Sequence, residues 1–348
     1  MTVTIQSRRT VQQEPFFVAL ENAPSGVCAA VTADGRRFPA QNAEGGVIVI
    51  ADVARDVPLE LELVCGEPNG GVALEQDAAA KALKVLINGQ LFTQYVYDDA
   101  FMKPYLGPVY TSAGNGESFT RLDLVTQEHP HQRSVFVAVG DVNGVDFWNE
   151  KGGAHHGREV AGVPQVLANG AAYARFTAQN IWTSDEDKPF LQEQRTFTFY
   201  NQSAACRTVD LEIVFTAAYG DVQFGPTKEA GPLGIRMNEE LRADRGGFFC
   251  NAYGAEKEAE CWGRSAPWCD YSGILNGRRV GIAVFDHEDN ERYPTAWHIR
   301  NYGLFAANNL FFKGGLTIPN GESLTYRFRL CFYEHELDTA ARYLVWAR

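Results

Sequence analysis

Alternation of apolar and polar side chains is the feature that most narrows what this chain can fold into. In RTVDLEIVF, residues 207–215, Val209, Leu211, Ile213 and Phe215 share one face, while Thr208, Asp210 and Glu212 share the other. Only a strand, with its period of two, sorts these residues so cleanly. LTYRFRLCF repeats the pattern, turning Leu324, Tyr326, Phe328, Leu330 and Phe332 inward and Arg327 and Arg329 outward. KVLINGQLFTQYVY reads as two strands joined by an Asn88-Gly89 hairpin turn. Helical periodicity is scarce. Its best instance is the C-terminal ELDTAARYLVWAR, with Asp338 as cap and Leu337, Ala340, Ala341, Leu344 and Val345 as an apolar stripe. Thirty-three glycines and 15 prolines supply many tight turns. The expected fold is therefore all-β, a large antiparallel β-sandwich, with a galactose-mutarotase-like supersandwich as one form of it.

The stretch GEPNGGVALEQDAAAKA, residues 66–82, is rich in Gly, Pro and Ala and poor in large apolar groups. It suggests a small N-terminal β-domain over 1–75 and a large sandwich over 80–348 that carries the chemistry. A formal charge of −12, from 43 acidic and 31 basic residues, leaves no electrostatic footprint for nucleic acid. The N-terminal residues lack the apolar core of a secretory signal, and no run of about 18 apolar residues occurs, so the reading is a cytoplasmic chain without a membrane partner. Seven scattered cysteines without C-x-x-C spacing read as reduced thiols, mostly in the core.

The residues that suggest chemistry fall on the C-terminal side of the boundary. EHPHQR, residues 128–133, would as a strand aim His129, His131 and Arg133 to one side and Gln132 to the other. WHIR repeats the arrangement with His298 and Arg300, leaving Trp297 and Ile299 opposite. Such a face suits a divalent metal held by His129, His131 and His298, or general acid/base groups around one ligand. A lone histidine is more often a hydrogen-bonded, half-buried structural residue, but two copies of a His/Arg face favour a site. In LQEQRTFTFY, Glu193 and Arg195 share the parity of Leu191, Phe197 and Phe199, so two charges lie on the inner face, as a buried ion pair or in a cleft. Trp148, Trp262, Trp268 and Trp297 lie near these polar groups, where indole faces could stack on sugar rings or merely fill a core. Phosphate-loop, zinc-protease and serine-hydrolase motifs are absent, and no organic cofactor is called for.

Five ordered segments, KPYLGPVYT, HPHQRSVFVAVGDVNGVDFW, FGPTKEAGPLGIRM, WGRSAPWCDYSG and PTAWHIRNYGLFAAN, together resemble the PmoA-like proteins, a bacterial family often labelled methane oxygenase PmoA. That family usually reads His-Pro-His-His-Arg-Gly at the first segment, whereas this chain has Gln132 and Ser134. Methane oxidation by membrane subunits needs spans that this sequence lacks. The resemblance instead implies sugar catabolism. It points to a glycoside or 3-keto-glycoside lyase or hydrolase working by histidine proton abstraction, with a sugar mutarotase or epimerase and a non-catalytic carbohydrate-binding protein as alternatives. On that reading His129, His131, His298 and Glu193 are catalytic. Arg133, Asn143, Asp146, Trp148, Lys228, Glu229, Arg236, Trp262, Asp270, Arg300 and Asn301 bind substrate, with Asp270 a second candidate acid. The expected partner is a small sugar or glycoside, and homo-oligomerisation stays open.

Overall fold

A computed structural model describes residues 1–114, 116–121, 128–151 and 155–347. Every strand pair in its four sheets is antiparallel. The first six strands form one sheet, in the order Thr2–Ile5, Leu59–Cys65, Val27–Val31, Arg37–Ala43, Gly46–Val53, Val11–Ala19. This unit has its own core, to which its first and last strands both contribute through Val3, Ile5 and Val11. Val72–Asp77 already pairs with Ala82–Ile87 in the next sheet, so the change of sheet falls at residues 66–71, inside the Gly-rich stretch and ahead of residue 80.

The large sandwich packs an eight-stranded sheet on a nine-stranded one. The first runs from Trp297–Ile299 through Leu304–Ala307, Ala230–Arg236, Val135–Val139, Tyr105–Leu106, Gln90–Val96 and Ala82–Ile87 to Val72–Asp77. The second has Tyr173–Thr183, Pro189–Tyr200, Cys206–Thr216 and Ser323–Glu334 at its centre. Side chains of both fill one core, where Val135, Val137, Trp297 and Ile299 meet Phe176, Phe197, Leu211, Ile213 and Phe328. The alternation in 207–215 and 324–332 is thus realised as read, and Leu211 pairs with Phe328 in register. Asn88 and Gly89 both take positive φ, 51° and 78°, as a two-residue hairpin requires. All seven cysteines are free, five of them buried.

Two expectations change. Arg329 points outward from its sheet but is covered: it binds Glu14 of the N-terminal unit at 2.6 Å, and Glu14 also accepts from Arg342 of the C-terminal helix at 2.6 Å. That helix, Thr339–Trp346, is capped by Asp338, whose Oδ1 accepts from Ala341 N at 2.9 Å. Its buried face is Thr339, Ala341, Arg342 and Tyr343, while Ala340 and Leu344 face solvent. The stripe read from apolarity alone misses how Arg342 is drawn inward by Glu14.

Val135–Val139 is buried at every residue, which explains its unbroken apolar run. Val135, Val137 and Val139 enter the sandwich core; Phe136 and Ala138 face the other way, with Trp148, Leu304 and Ala306. The outer face of the eight-stranded sheet is therefore covered too. A Cβ on Gly234 would lie 2.6 Å from the Phe136 ring, so glycine there lets that ring lie flat across the neighbouring strand.

Candidate functional site

On this covered outer face lies a polar cavity of about 260 Å³. His298 and Arg300 reach it from the strand Trp297–Ile299 and the turn that follows, as their spacing predicts, since Trp297 and Ile299 take the core side. His129, His131 and Gln132 reach it from the segment before Val135–Val139. Trp148, Asn149, Lys228, Glu229, Tyr302 and Leu304 complete the lining. Three histidines distant in sequence are thus brought to one cavity.

The local geometry that does so differs from the expectation. Residues 128–134 are a turn rather than a strand, with Gln132 N donating to His129 O at 3.0 Å and with His129 at φ 51° and Ser134 at φ 49°. Positive φ in non-glycine residues carries strain and is often found where a side chain must be aimed. The turn breaks the period of two, so Gln132 lines the cavity and Arg133 leaves it to pair with Glu150 at 2.6 Å, its guanidinium 4.8 Å from the Phe101 ring. His129 stacks on Tyr302 at 5.0 Å and meets His131 edge-on at 5.8 Å. His131 packs against Trp148, and His298 edge-on against Trp262.

The surroundings shift all three imidazoles towards the neutral form. Burial, then the nearby Lys103, His129 and Arg133 charges, pushes His131 down to about 3. Burial, Arg300 and Lys228 push His298 down to about 4. His129 is lowered less, by burial and Arg236, because a Glu128 carboxylate oxygen 3.4 Å from its Nδ1 opposes the shift. His131 Nε2 and His298 Nδ1 are buried without a hydrogen-bond partner. Leaving such a group unpaired costs about 1–3 kcal/mol, an expense common where a ligand completes the bonding.

Several predicted residues lie elsewhere. Glu193 is fully buried between the sheets, held by Arg195, by Trp182 Nε1 at 2.8 Å and by Asn180 at 3.3 Å, with Glu159 on the far side of Arg195. Its parity correctly sends it inward, but into an ion network within the core. Asp270 accepts from Tyr333 at 2.6 Å and Thr339 at 2.8 Å, anchoring the C-terminal helix on the nine-stranded sheet. Asn143 closes a turn against Asp221 and Gln223; Asp146 holds the turn carrying Trp148 and Asn149 through bonds of 2.7 and 3.1 Å to their amides. Arg236 lies beneath the lining, bonded to Gln132 at 2.8 Å with its guanidinium 5.0 Å from the Tyr302 ring. Asn301 is outside the lining, its backbone N–H donating to Glu258 at 2.7 Å. Trp262 stands at the rim, 38% exposed.

Gln132, Asn149, Tyr302 and Leu304 are the lining residues that sequence reasoning missed. Tyr302 follows two residues after Arg300 in the NYG turn, a position that a strand register extended past the turn could have flagged. No group of three or more His, Cys, Asp or Glu among the described residues is placed to hold a metal ion. His129, His131 and His298 share the cavity without forming such a group. Among the described residues no helix is long and apolar enough to cross a membrane.

Galactose 1-epimerase from Lactobacillus acidophilus NCFM is similar in structure at a TM-score of 0.37 and 10% identity, over 77% of this chain and 99% of that one. No curated protein matches the chain. A family model matches residues 82–346, the whole sandwich after its first strand, and by that match the chain belongs to DUF6807, a family of unknown function.

Proposed function

We propose that the cavity is the active site of a carbohydrate-active enzyme that removes a proton from a single sugar ring of a glycoside or keto-glycoside. One observation carries the reading. Neutral imidazoles with unpartnered buried nitrogens, His131 Nε2 and His298 Nδ1, line a small polar cavity walled by Trp148 and Tyr302. Aromatic faces beside neutral imidazoles suit a hydroxylated ring, and Lys228, Glu229 and Arg300 add charged partners for its oxygens. At about 260 Å³ the cavity lies below the roughly 300–1,000 Å³ of sites for drug-sized ligands, which limits it to one ring.

In this reading His129 is the base. The Glu128 carboxylate, 3.4 Å from its Nδ1, stabilises the imidazolium that forms when Nε2 takes the proton. On a 3-keto-glycoside the proton leaves C2, beside the carbonyl, and the negative charge develops on the C3 oxygen. Lys228 and Arg300 supply positive charge at the cavity wall for that oxygen. His131 and His298, kept neutral, polarise the carbonyl as hydrogen-bond donors without competing for the proton. The C1–C2 double bond then forms as the C1–O bond breaks, and the departing oxygen takes up the proton that His129 removed from C2, so the proton balance closes within the cavity. The resemblance to PmoA-like proteins agrees with sugar catabolism as the setting.

The test is turnover. The full chain is incubated with 3-keto-glucosides, simple glucosides and aldoses, with and without chelator, and products are followed by proton NMR and polarimetry. Release of the aglycone from a keto-glycoside supports the proposal. Saturable sugar binding without product would replace it with a binding protein, and interconversion of aldose anomers alone would replace it with a mutarotase.

A further inference from the structure

Trp262 ends the short helix Lys257–Cys261 and is 38% exposed, whereas Trp148, Trp182 and Trp297 are buried to within 2%. Phe311, from the helix Asn309–Lys313, is 41% exposed beside it. Phe312 joins them at 5.0 Å from both rings, edge-on to each. Gly263, with φ 74°, makes room for this grouping, since a Cβ there would stand 2.7 Å from the Phe312 ring. Clustered exposed aromatic side chains are a feature of binding surfaces.

This shelf adjoins the cavity. The Trp262 ring meets His298 at 6.2 Å, and the Arg300 guanidinium lies between Trp262, at 6.0 Å, and Tyr302, at 5.5 Å. One side chain thus separates the cavity wall from the shelf. A cavity that holds one ring obliges the remainder of a glycoside to leave it, and Arg300, 30% exposed, marks an open side. The polar neighbours of the shelf are already engaged: Arg300 with Glu258 at 2.9 Å, and Lys313 with the carbonyls of Arg292 at 2.7 Å and Pro294 at 2.6 Å. Few groups remain there to bind the hydroxyls of a second sugar.

We infer that Trp262, Phe311 and Phe312 form an aglycone subsite that takes a flat aryl group joined to the sugar in the histidine cavity. This inference rests on the sugar reading of that cavity. The full chain is titrated by calorimetry with phenyl β-D-glucoside and methyl β-D-glucoside. Phenyl glucoside should bind roughly tenfold tighter, the gain expected from one or two aromatic contacts. The ratio of the two affinities should fall to within about twofold of unity in Trp262→Ala and drop measurably in Phe311→Ala, whose exposed side chain can be removed without unfolding the chain. Equal affinities in the wild type, or an unchanged ratio in both variants, would overturn the subsite while leaving the sugar cavity standing. Failure of both glucosides to bind would overturn the subsite together with the sugar reading of the cavity.

Discussion

At the scale of single residues, two kinds of buried polar group have opposite duties. Glu193 has its oxygens engaged by Arg195, Trp182 and Asn180 in the core, whereas His131 and His298 keep a nitrogen unpartnered at the cavity. Removing Glu193 strands the Arg195 charge with only Glu159 and a carbonyl of Pro104, so Glu193→Ala should cost about 3–5 kcal/mol of stability. Denaturant unfolding measures that loss, and substrate affinity in the surviving folded fraction should be unchanged. His129→Gln should do the reverse, lowering kcat by about a hundredfold or more while the unfolding midpoint stays near that of the wild type. A His129→Gln variant that turns over normally would remove this residue from the chemistry. Sequence parity distinguished inside from outside for Glu193 and His298. It could not tell a satisfied network from an open one, because Trp182, Asn180 and Glu159 come from other strands.

Element by element, regular alternation made the strands legible and irregular turns hid the site. The strands Cys206–Thr216 and Ser323–Glu334, the Asn88-Gly89 hairpin and the Asp338 cap all follow from local rules. The cap is open to direct test. Asp338→Ala should cost about 1 kcal/mol, seen as a lower melting temperature, whereas Asp338→Ser should restore most of it. Equal melts for wild type and Asp338→Ala would mean that packing by Tyr343 and Arg342 alone fixes the helix. The segment 128–134 was misread because two positive-φ residues set its course, and neither His nor Ser announces that conformation as glycine would. His298 and Arg300 were placed correctly because the core-facing Trp297 and Ile299 fix their register.

Across the whole molecule, one carboxylate ties three parts together. Glu14 of the N-terminal unit meets Arg329 of the nine-stranded sheet and Arg342 of the C-terminal helix, all nearly excluded from water. Glu14→Ala leaves Arg342 buried without a carboxylate and Arg329 with Asp210 alone, and should destabilise the junction by about 3–5 kcal/mol. Limited proteolysis should then cut at residues 66–71, where the sheets change, at a rate well above that of the wild type. Unchanged proteolysis would place the stability of the junction in apolar contacts such as Ile48 and Ile50 against Tyr173 and Tyr200. The sandwich itself leaves a cavity on its outer face, and the account depends on that cavity holding neutral histidines for a sugar. Because the folded pKa of His298 lies below its ordinary 6.5, the unfolded chain takes up a proton first, so its burial lowers stability as pH falls from about 6.5 towards 4. The imidazole nitrogen spectrum, recorded by nitrogen-15 NMR across that range with and without a keto-glucoside, reads both properties at once. The account predicts that His131 and His298 stay neutral down to pH 5 and that their resonances shift saturably with the sugar, while exposed His335 does not respond to it. Protonation of both near 6.5, or spectra indifferent to the sugar, would contradict it.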